Sequence, residues 1–486
     1  MKRLPALLTL VLTLATLGAA PGIAAAASTT STTDAAALYQ QHCAACHGAQ
    51  REGAVGPNLS DATWVKVKPN KAALARFISA GSPTVGMPPF KGTLAPAAIA
   101  SVAEYLLAPG KAGAAATDNA GAADKQVSGA APAGKYPELA NFVLPVGFSI
   151  AVYADNVPAA RSMVVSPSGI VYVGSRAAGK VYALVSSKHD NVIDKVVTIA
   201  EGLDSPIGVT LLNGALFVGE ISRVIRFDDI DNTYDKKPKV NVVKVSLPSD
   251  KWHGEKIIKA GPDGKLYIPV GAPCNVCNKE NDLHSKVHRM NADGSGLEEV
   301  ARGVRNSVGF AFHPTTKQLW FTDNGRDMLG DNIPSDKLNV VTKPGQHFGF
   351  PYCQGGAVPD PEFAAGRTCA EFVEPVAKLG PHVASLGLAF NTGSHFPAQY
   401  KNQLFVAEHG SWNRTQKSGY RVSLITLEGN KLVSDTVFID GFIQNGAPVG
   451  RPVDIAFLAD GSMLVSDDHR GRIYRVTYKA PPPEKK

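Results

Sequence analysis

The apolar positions of this chain fall into two regimes. From 140 to 480 they come as short runs, and one run recurs: a three-residue apolar core followed by a small or polar residue. The copies are Val171-Tyr172-Val173, Leu216-Phe217-Val218, Leu266-Tyr267-Ile268, Leu319-Trp320-Phe321, Leu404-Phe405-Val406 and Met463-Leu464-Val465. Runs this short, rich in β-branched and aromatic residues and bounded by turn signals, predict strands. Most copies follow a turn such as Ser168-Gly169, Asn213-Gly214, Asp263-Gly264 or Asp460-Gly461, and another apolar strand precedes each turn, as in Gly309-Phe310-Ala311-Phe312. The copies start 45, 50, 53, 85 and 59 residues apart, and the long step holds Cys353 and Cys369. A multi-stranded repeat of about 40–50 residues predicts propeller blades, so six copies predict an all-β six-bladed propeller over 140–480. A β-sandwich would place about seven strands in roughly 100 residues without such a repeat.

Ahead of residue 110 the spacing is helical. Residues 34–41 read as a helix with Thr33 or Asp34 as N-cap, and Pro96–Leu107 as another, with Ile99, Val102 and Leu106 on one face and Pro96 at its start. This predicts a compact all-α unit over 34–108. The chain opens with Lys2 and Arg3, an apolar run over 7–17 and small residues up to Ala27, the pattern of a secretory signal peptide over 1–27. The run is short for a membrane span. The expected product is a periplasmic or secreted protein with no transmembrane anchor after cleavage. Residues 110–135 hold ten Ala and five Gly and no aromatic residue. Such composition cannot bury enough surface to fold, which predicts a flexible linker over 109–139, spanning on the order of 30 Å.

The formal charge of +7, with Lys2 and Arg3 leaving in the signal, is modest for 486 residues. No Lys/Arg-rich block with interleaved aromatics occurs, which excludes nucleic acid as the expected partner. The six cysteines form three pairs in sequence. Cys43-Ala44-Ala45-Cys46-His47 is Cys-x-x-Cys-His: two thiols on one helical turn can bond one haem while the adjacent histidine faces the iron. No second Cys/His pair follows at zinc-finger spacing. With Gly56-Pro57-Asn58-Leu59, Gly86-Met87-Pro88-Pro89-Phe90 and the helix from Pro96, residues 34–108 resemble class I cytochrome c. The resemblance implies haem c, with His47 as proximal and Met87 as distal iron ligand, and the Pro57 carbonyl accepting from the other His47 nitrogen. Cys274/Cys277 and Cys353/Cys369 lack histidines at metal spacing and read as disulfides, with a redox-active Cys-x-x-Cys as the alternative for the first.

Polar residues recur at one place in the repeat, 10 to 22 residues before five of the six apolar cores: Arg161, His253, Arg305 with Asn306, His382 and Arg451. Equivalent positions of successive blades ring one end of a channel, and this set suits an anionic, oxygen-rich ligand. A second set lies just after the cores: Glu220, residues 323–327, 408–412 and 467–470. Which of these reach the first set is left open by the sequence.

Over 140–478 the chain resembles the pyrroloquinoline quinone (PQQ)-dependent sugar dehydrogenases, the soluble glucose dehydrogenase and L-sorbosone dehydrogenase-like group. The carrying stretches are Trp252-His253-Gly254, Val304-Arg305-Asn306-Ser307, and residues 322–339, 345–352 and 408–414. The resemblance implies His253 as the general base toward a sugar hydroxyl, its unperturbed pKa near ~6.5 suiting that role. It further implies Arg305 polarising the quinone carbonyl, and Asn306 as a PQQ contact. Gly325 and Arg326 would supply backbone carbonyls to Ca²⁺. Arg161 and Arg451 would hold PQQ carboxylates, with His409 standing where the family has a lysine. One of two arginines expected near Arg451 is missing, and Arg326 replaces a proline, departures that point away from glucose and toward the sorbosone-type branch. The joint expectation is a quinohaemoprotein acting on a sugar or related polyol or aldose, with PQQ, Ca²⁺ and haem c, passing electrons to an external cytochrome or quinone chain. The competing expectations are a calcium-dependent lactonase-like hydrolase and a glycan-binding propeller fused to an electron-transfer cytochrome.

Overall fold

The structure, a computed structural model, describes residues 35, 38–39, 42–43, 47, 51, 59, 70–82, 87, 89–107, 125–127, 135–279 and 281–482. The signal peptide, Cys46, Pro57 and most of the linker lie outside the described residues. The chain divides into two compact units at 113/114.

In the first unit, the Cys43 N–H donates to the Tyr39 carbonyl at 2.8 Å and the His47 N–H to the Cys43 carbonyl at 2.9 Å. These i→i+4 bonds set Tyr39, Cys43 and His47 at successive helical turns. Helix α1 spans Lys71–Ala80 and helix α2 spans Pro96–Leu107. Asn70 caps α1 by accepting the Ala73 N–H at 2.9 Å. Leu74 and Ile78 of α1 pack with Ile99, Val102, Ala103 and Leu106 of α2 and with Tyr39; Cys43, Met87 and Phe90 lie against the same core.

The second unit is a six-bladed β-propeller. Blade I is Ala160–Val165, Val171–Ser175, Val181–Val185 and Lys195–Ala200. Blade II is Gly208–Leu212, Ala215–Gly219, Val224–Phe227 and Asn241–Val242. Blade III is Lys259–Ala260, Leu266–Val270, Lys286–Met290 and Glu298–Arg302. Blade IV is Phe310–Phe312, Leu319–Asp323, Ser335–Val341 and Ala377–Pro381. Blade V is Ser385–Phe390, Leu404–Glu408, Arg421–Glu428 and Lys431–Ile439. Blade VI is Pro452–Phe457, Met463–Asp467 and Arg472–Tyr478, completed by Phe148–Ala154 from the start of the unit. That last pairing is antiparallel, with Phe148 opposite Tyr478 and Val152 opposite Tyr474, and it closes the ring.

Every recurring apolar triplet is the second strand of its blade. The reason lies in six cores, each shared by two neighbouring blades. Leu216 and Val218 pack toward blade I, while Phe217 between them packs toward blade III. Alternate side chains point to opposite faces, and both faces are covered, so the strand reads as a continuous apolar run. The first strands approach one another around the axis. Gly309 is needed there, since a Cβ would lie 2.0 Å from the Leu386 carbonyl.

The long step holds an insertion between the third and fourth strands of blade IV. Its Gln346–His347 adds a parallel fifth strand to blade III, and Cys353–Cys369 is a disulfide. Cys274–Cys277 is also a disulfide. The propeller unit starts earlier than the expected boundary at 140. Lys125–Val127 pairs with Val143–Pro145, and Pro137–Asn141 forms a short 3₁₀ helix whose Leu139 is buried in the core between blades V and VI. The linker composition hides this because Lys125–Val127 pairs through its backbone.

Candidate active site

One end of the propeller opens into a cavity of about 380 Å³. It is lined by Arg161, His253, Arg305, Asn306 and His382 of the first expected set and by Asn324, Gly325, Asp327, His409 and Trp412 of the second. The two sets meet because each blade's first and second strands are antiparallel: the chain enters the first strand and leaves the second at the same end. The Asn324 N–H accordingly donates to the Asn306 carbonyl at 3.1 Å. Glu220 does not join them; it is buried against Arg223 and the Asp204 N–H.

His253 sits on a left-handed turn (φ 49°). Its Nδ1–H donates to the Ala272 carbonyl at 2.9 Å, which leaves Nε2 as an acceptor. Gly271 permits this approach, since a Cβ there would lie 2.7 Å from the His253 Cβ. Burial, and then the Arg305 charge, push the imidazole down to about 3. The expectation of an ordinary histidine pKa is therefore corrected: His253 is neutral throughout the physiological range.

Arg305 is 3 % exposed. Its Nε donates to the Asn275 carbonyl (2.8 Å), Nη2 to Asn275 Oδ1 (2.9 Å) and Asp327 Oδ2 (3.2 Å), and Nη1 to the Asn324 carbonyl (3.2 Å). The Asn306 backbone is fixed by its N–H to Asp323 Oδ1 at 2.8 Å. Asp336, also lining the cavity, accepts from the Gly325 and Ser385 N–H groups, and burial raises it to about 7.

Across the cavity, Asp468 bridges Arg161 Nη1 (2.9 Å) and His409 Nε2 (2.8 Å). The paired guanidinium and imidazole hold Asp468 below the usual carboxylate range against the cost of burial. Burial pushes His409 down to about 4 even with Asp468 opposing. His409 is therefore a neutral group tied to Asp468 and does not supply the positive charge of a lysine. Arg451 is likewise corrected. Its guanidinium turns to the backbone carbonyls of His409 (3.1 Å) and Gly410 (2.6 Å) and stacks over Tyr420, so it supports the His409 turn from outside the cavity lining. Gly325 lines the cavity, whereas the Arg326 side chain leaves it for Asp360 (2.7 Å) and Glu362 (3.0 Å).

Sequence reasoning missed Asn275, which occupies no repeat position, and Asn413, whose Nδ2 donates to Asp327 Oδ1 at 2.8 Å. Asp468 was visible only as part of an acidic-basic turn. In the first unit Cys43 and Met87 border one apolar core and His47 lies one helical turn beyond Cys43.

Two features fit an anionic quinone and a hard cation. Arg161 Nε is buried without a hydrogen-bond partner, as are Asn324 Oδ1 and Asn413 Oδ1. Among the described residues no cluster of three His, Cys, Asp or Glu could hold a metal, so a cation would rest on backbone and amide oxygens. No described helix is long and apolar enough to cross a membrane.

The family described as TrAA12-like matches residues 142–479, and that described as cytochrome c oxidase, cbb3-type, subunit III matches 30–106. An uncharacterised protein of Borreliella burgdorferi is 33% identical over 353 residues, 69% of this chain and 90% of that one. The pyrroloquinoline quinone-dependent pyranose dehydrogenase of Coprinopsis cinerea is 30% identical over 129 residues, 22% of this chain and 17% of that one. The structure of its PQQ domain superposes with a TM-score of 0.59 at 16% identity, covering 69% of this chain and 97% of that one. The Trichoderma reesei family AA12 enzyme superposes with a TM-score of 0.61 at 18% identity, covering 70% and 98%. At these identities the superpositions speak to the fold. The matched span, and the cytochrome c domain ahead of it, identify the chain as belonging to the TrAA12-like family of PQQ-dependent sugar dehydrogenase-like oxidoreductases.

Proposed function

We propose that the propeller oxidises a sugar, or a related polyol or aldose, and that the electrons leave through haem c of the N-terminal domain to an external cytochrome or quinone chain. The carrying observation is one cavity holding a neutral His253 with a fixed tautomer, a buried Arg305 and the unpartnered Arg161 Nε. The Coprinopsis relative, PQQ-dependent by its name, supports the cofactor. A calcium structure of the Trichoderma enzyme supports Ca²⁺. When bound, PQQ supplies a two-electron acceptor for hydride, and Ca²⁺ polarises it.

His253 Nε2 accepts the proton of the sugar hydroxyl as hydride leaves the adjacent carbon. A negative charge beside Arg305 cancels part of that guanidinium's field, so His253 becomes a better proton acceptor once the cavity is filled. Arg305, Asn306 and Arg161 would hold and orient the quinone, and the backbone carbonyls of Gly325 and Arg326, with the unpartnered Asn324 Oδ1, would hold Ca²⁺. Arg451 acts one step back, through His409. In the first domain Cys43 and Cys46 attach the haem, and His47 and Met87 hold its iron, a ligand pair that raises the potential and suits electron uptake. The disulfides fit an oxidising compartment, the periplasm or the exterior.

The test uses haem-loaded full-length protein given PQQ and Ca²⁺, with the haem spectrum followed as a panel of sugars is added. Haem reduction that requires PQQ, and falls at least ~100-fold in His253→Ala, is the expected result. Absence of PQQ binding and of haem reduction by every sugar sinks the reading.

A further inference from the structure

We propose that Asn275, held in the four-residue ring closed by the Cys274–Cys277 disulfide, is the positioning residue that sets both Arg305 and Asp327 in the cavity. The segment carrying Asn275 belongs to no strand; it joins Leu266–Val270 to Lys286–Met290 of blade III at the cavity end. Its carbonyl accepts Arg305 Nε at 2.8 Å, and its Oδ1 accepts Arg305 Nη2 at 2.9 Å. The same Oδ1 accepts the Asp327 N–H at 2.8 Å, and Nδ2 donates to the Asp327 carbonyl at 3.1 Å. One side chain thus grips the guanidinium and both backbone groups of Asp327. Asp327 then returns Oδ2 to Arg305 Nη2 and offers Oδ1 to Asn413.

The chemistry selects asparagine. An amide is donor and acceptor at once, which aspartate is not. A loop outside the sheets is ordinarily mobile, and a grip of this kind requires it to stay still. The disulfide supplies that restraint by closing the segment on itself on either side of Asn275. The consequence for turnover rests on the quinone reading above; the consequence for Arg305 itself does not.

The full-length chain is compared with Asn275→Ala, Arg305→Ala, the pair Asn275→Ala/Arg305→Ala, and the pair Cys274→Ala/Cys277→Ala, which leaves Cys353–Cys369 intact. Asn275→Ala and the cysteine pair are expected to lower kcat for haem reduction by ~10- to 100-fold with substrate KM changed less than about threefold. Asn275→Ala added to Arg305→Ala is expected to cost nothing further. In cofactor-free protein, the His253 imidazole, followed by NMR, is expected to titrate higher in Asn275→Ala and in the cysteine pair, as Arg305 moves away. Additive losses in the double variant, or an unmoved His253 titration in both Asn275→Ala and the cysteine pair, overturn the proposal. If no sugar reduces the wild-type haem, the quinone reading fails and the His253 titration alone decides this one. If Asn275→Ala does not fold, the cysteine pair carries the same two readouts.

Discussion

Asp468 sets the ionisation pattern of one wall of the cavity. It is the shared partner of Arg161 and His409, both largely buried. Removing one partner of a buried pair leaves the other charge uncompensated, at about 3–5 kcal/mol. Asp468→Asn should therefore lower the melting temperature clearly, and added PQQ should restore part of the loss by giving Arg161 a new anion. Calorimetry with and without the cofactor checks both. The histidines add a pH dependence. The native chain holds His253 near 3 and His409 near 4, whereas the unfolded chain protonates near 6.5. Between those values the unfolded state binds more protons, so their contribution to stability is full above about 6.5 and is lost as pH falls toward about 4 for His409 and about 3 for His253. Asp336, raised to about 7, contributes with the opposite sign between its unfolded and folded values. Melting temperature against pH should accordingly flatten on the acid side in His409→Gln relative to wild type. At this scale the sequence was legible where a residue recurs in register, as with Arg161, His253, Arg305, Asn306 and His382, which all line the cavity. It was silent on side-chain direction. Arg451 keeps its register position, yet its guanidinium turns to the His409 and Gly410 carbonyls.

The apolar triplets show how an element's position can be written in a few residues. A strand covered on both faces must be apolar at consecutive positions, so the triplet marks the second strand of each blade, and helix α2 was readable by the same logic at helical spacing. Elements that bury little were not readable. The two-residue strands Asn241–Val242, Lys259–Ala260 and Gln346–His347 are too short to show a period, and what fixes them besides backbone pairing is polar contact, such as Asn241 to Asp228 and Gln346 to the Thr342 and Lys343 N–H groups. Phe321 is fully buried and meets Phe348 of the insertion edge-on at 4.9 Å. Phe321→Ala should cost about 3–5 kcal/mol in chemical denaturation, since it opens the core between blades III and IV and loosens the insertion together.

For the whole molecule, the repeat count gave the number of blades, but the ring closure could not be counted. The strand Phe148–Ala154 carries no triplet, since it is the outermost strand of blade VI and its exposed positions alternate with buried ones. Its anchoring is aromatic: Phe148 meets Phe396, Tyr400 and Phe438 at 4.8, 5.3 and 5.0 Å. A chain ending at residue 471 should lose cooperative unfolding of the propeller, followed by near-ultraviolet circular dichroism. The haem spectrum of the first unit should persist, because its core is its own. The closure has a consequence for manufacture. The partner of Phe148–Ala154, the first strand of the ring in chain order, is Arg472–Tyr478, the last strand of the ring in chain order. A chain cut short presents an unpaired strand edge, the usual seed of aggregation. Joining the two ends of the unit in one sheet thus makes completeness itself a condition of folding, a length check applied to every copy before it can carry a cofactor.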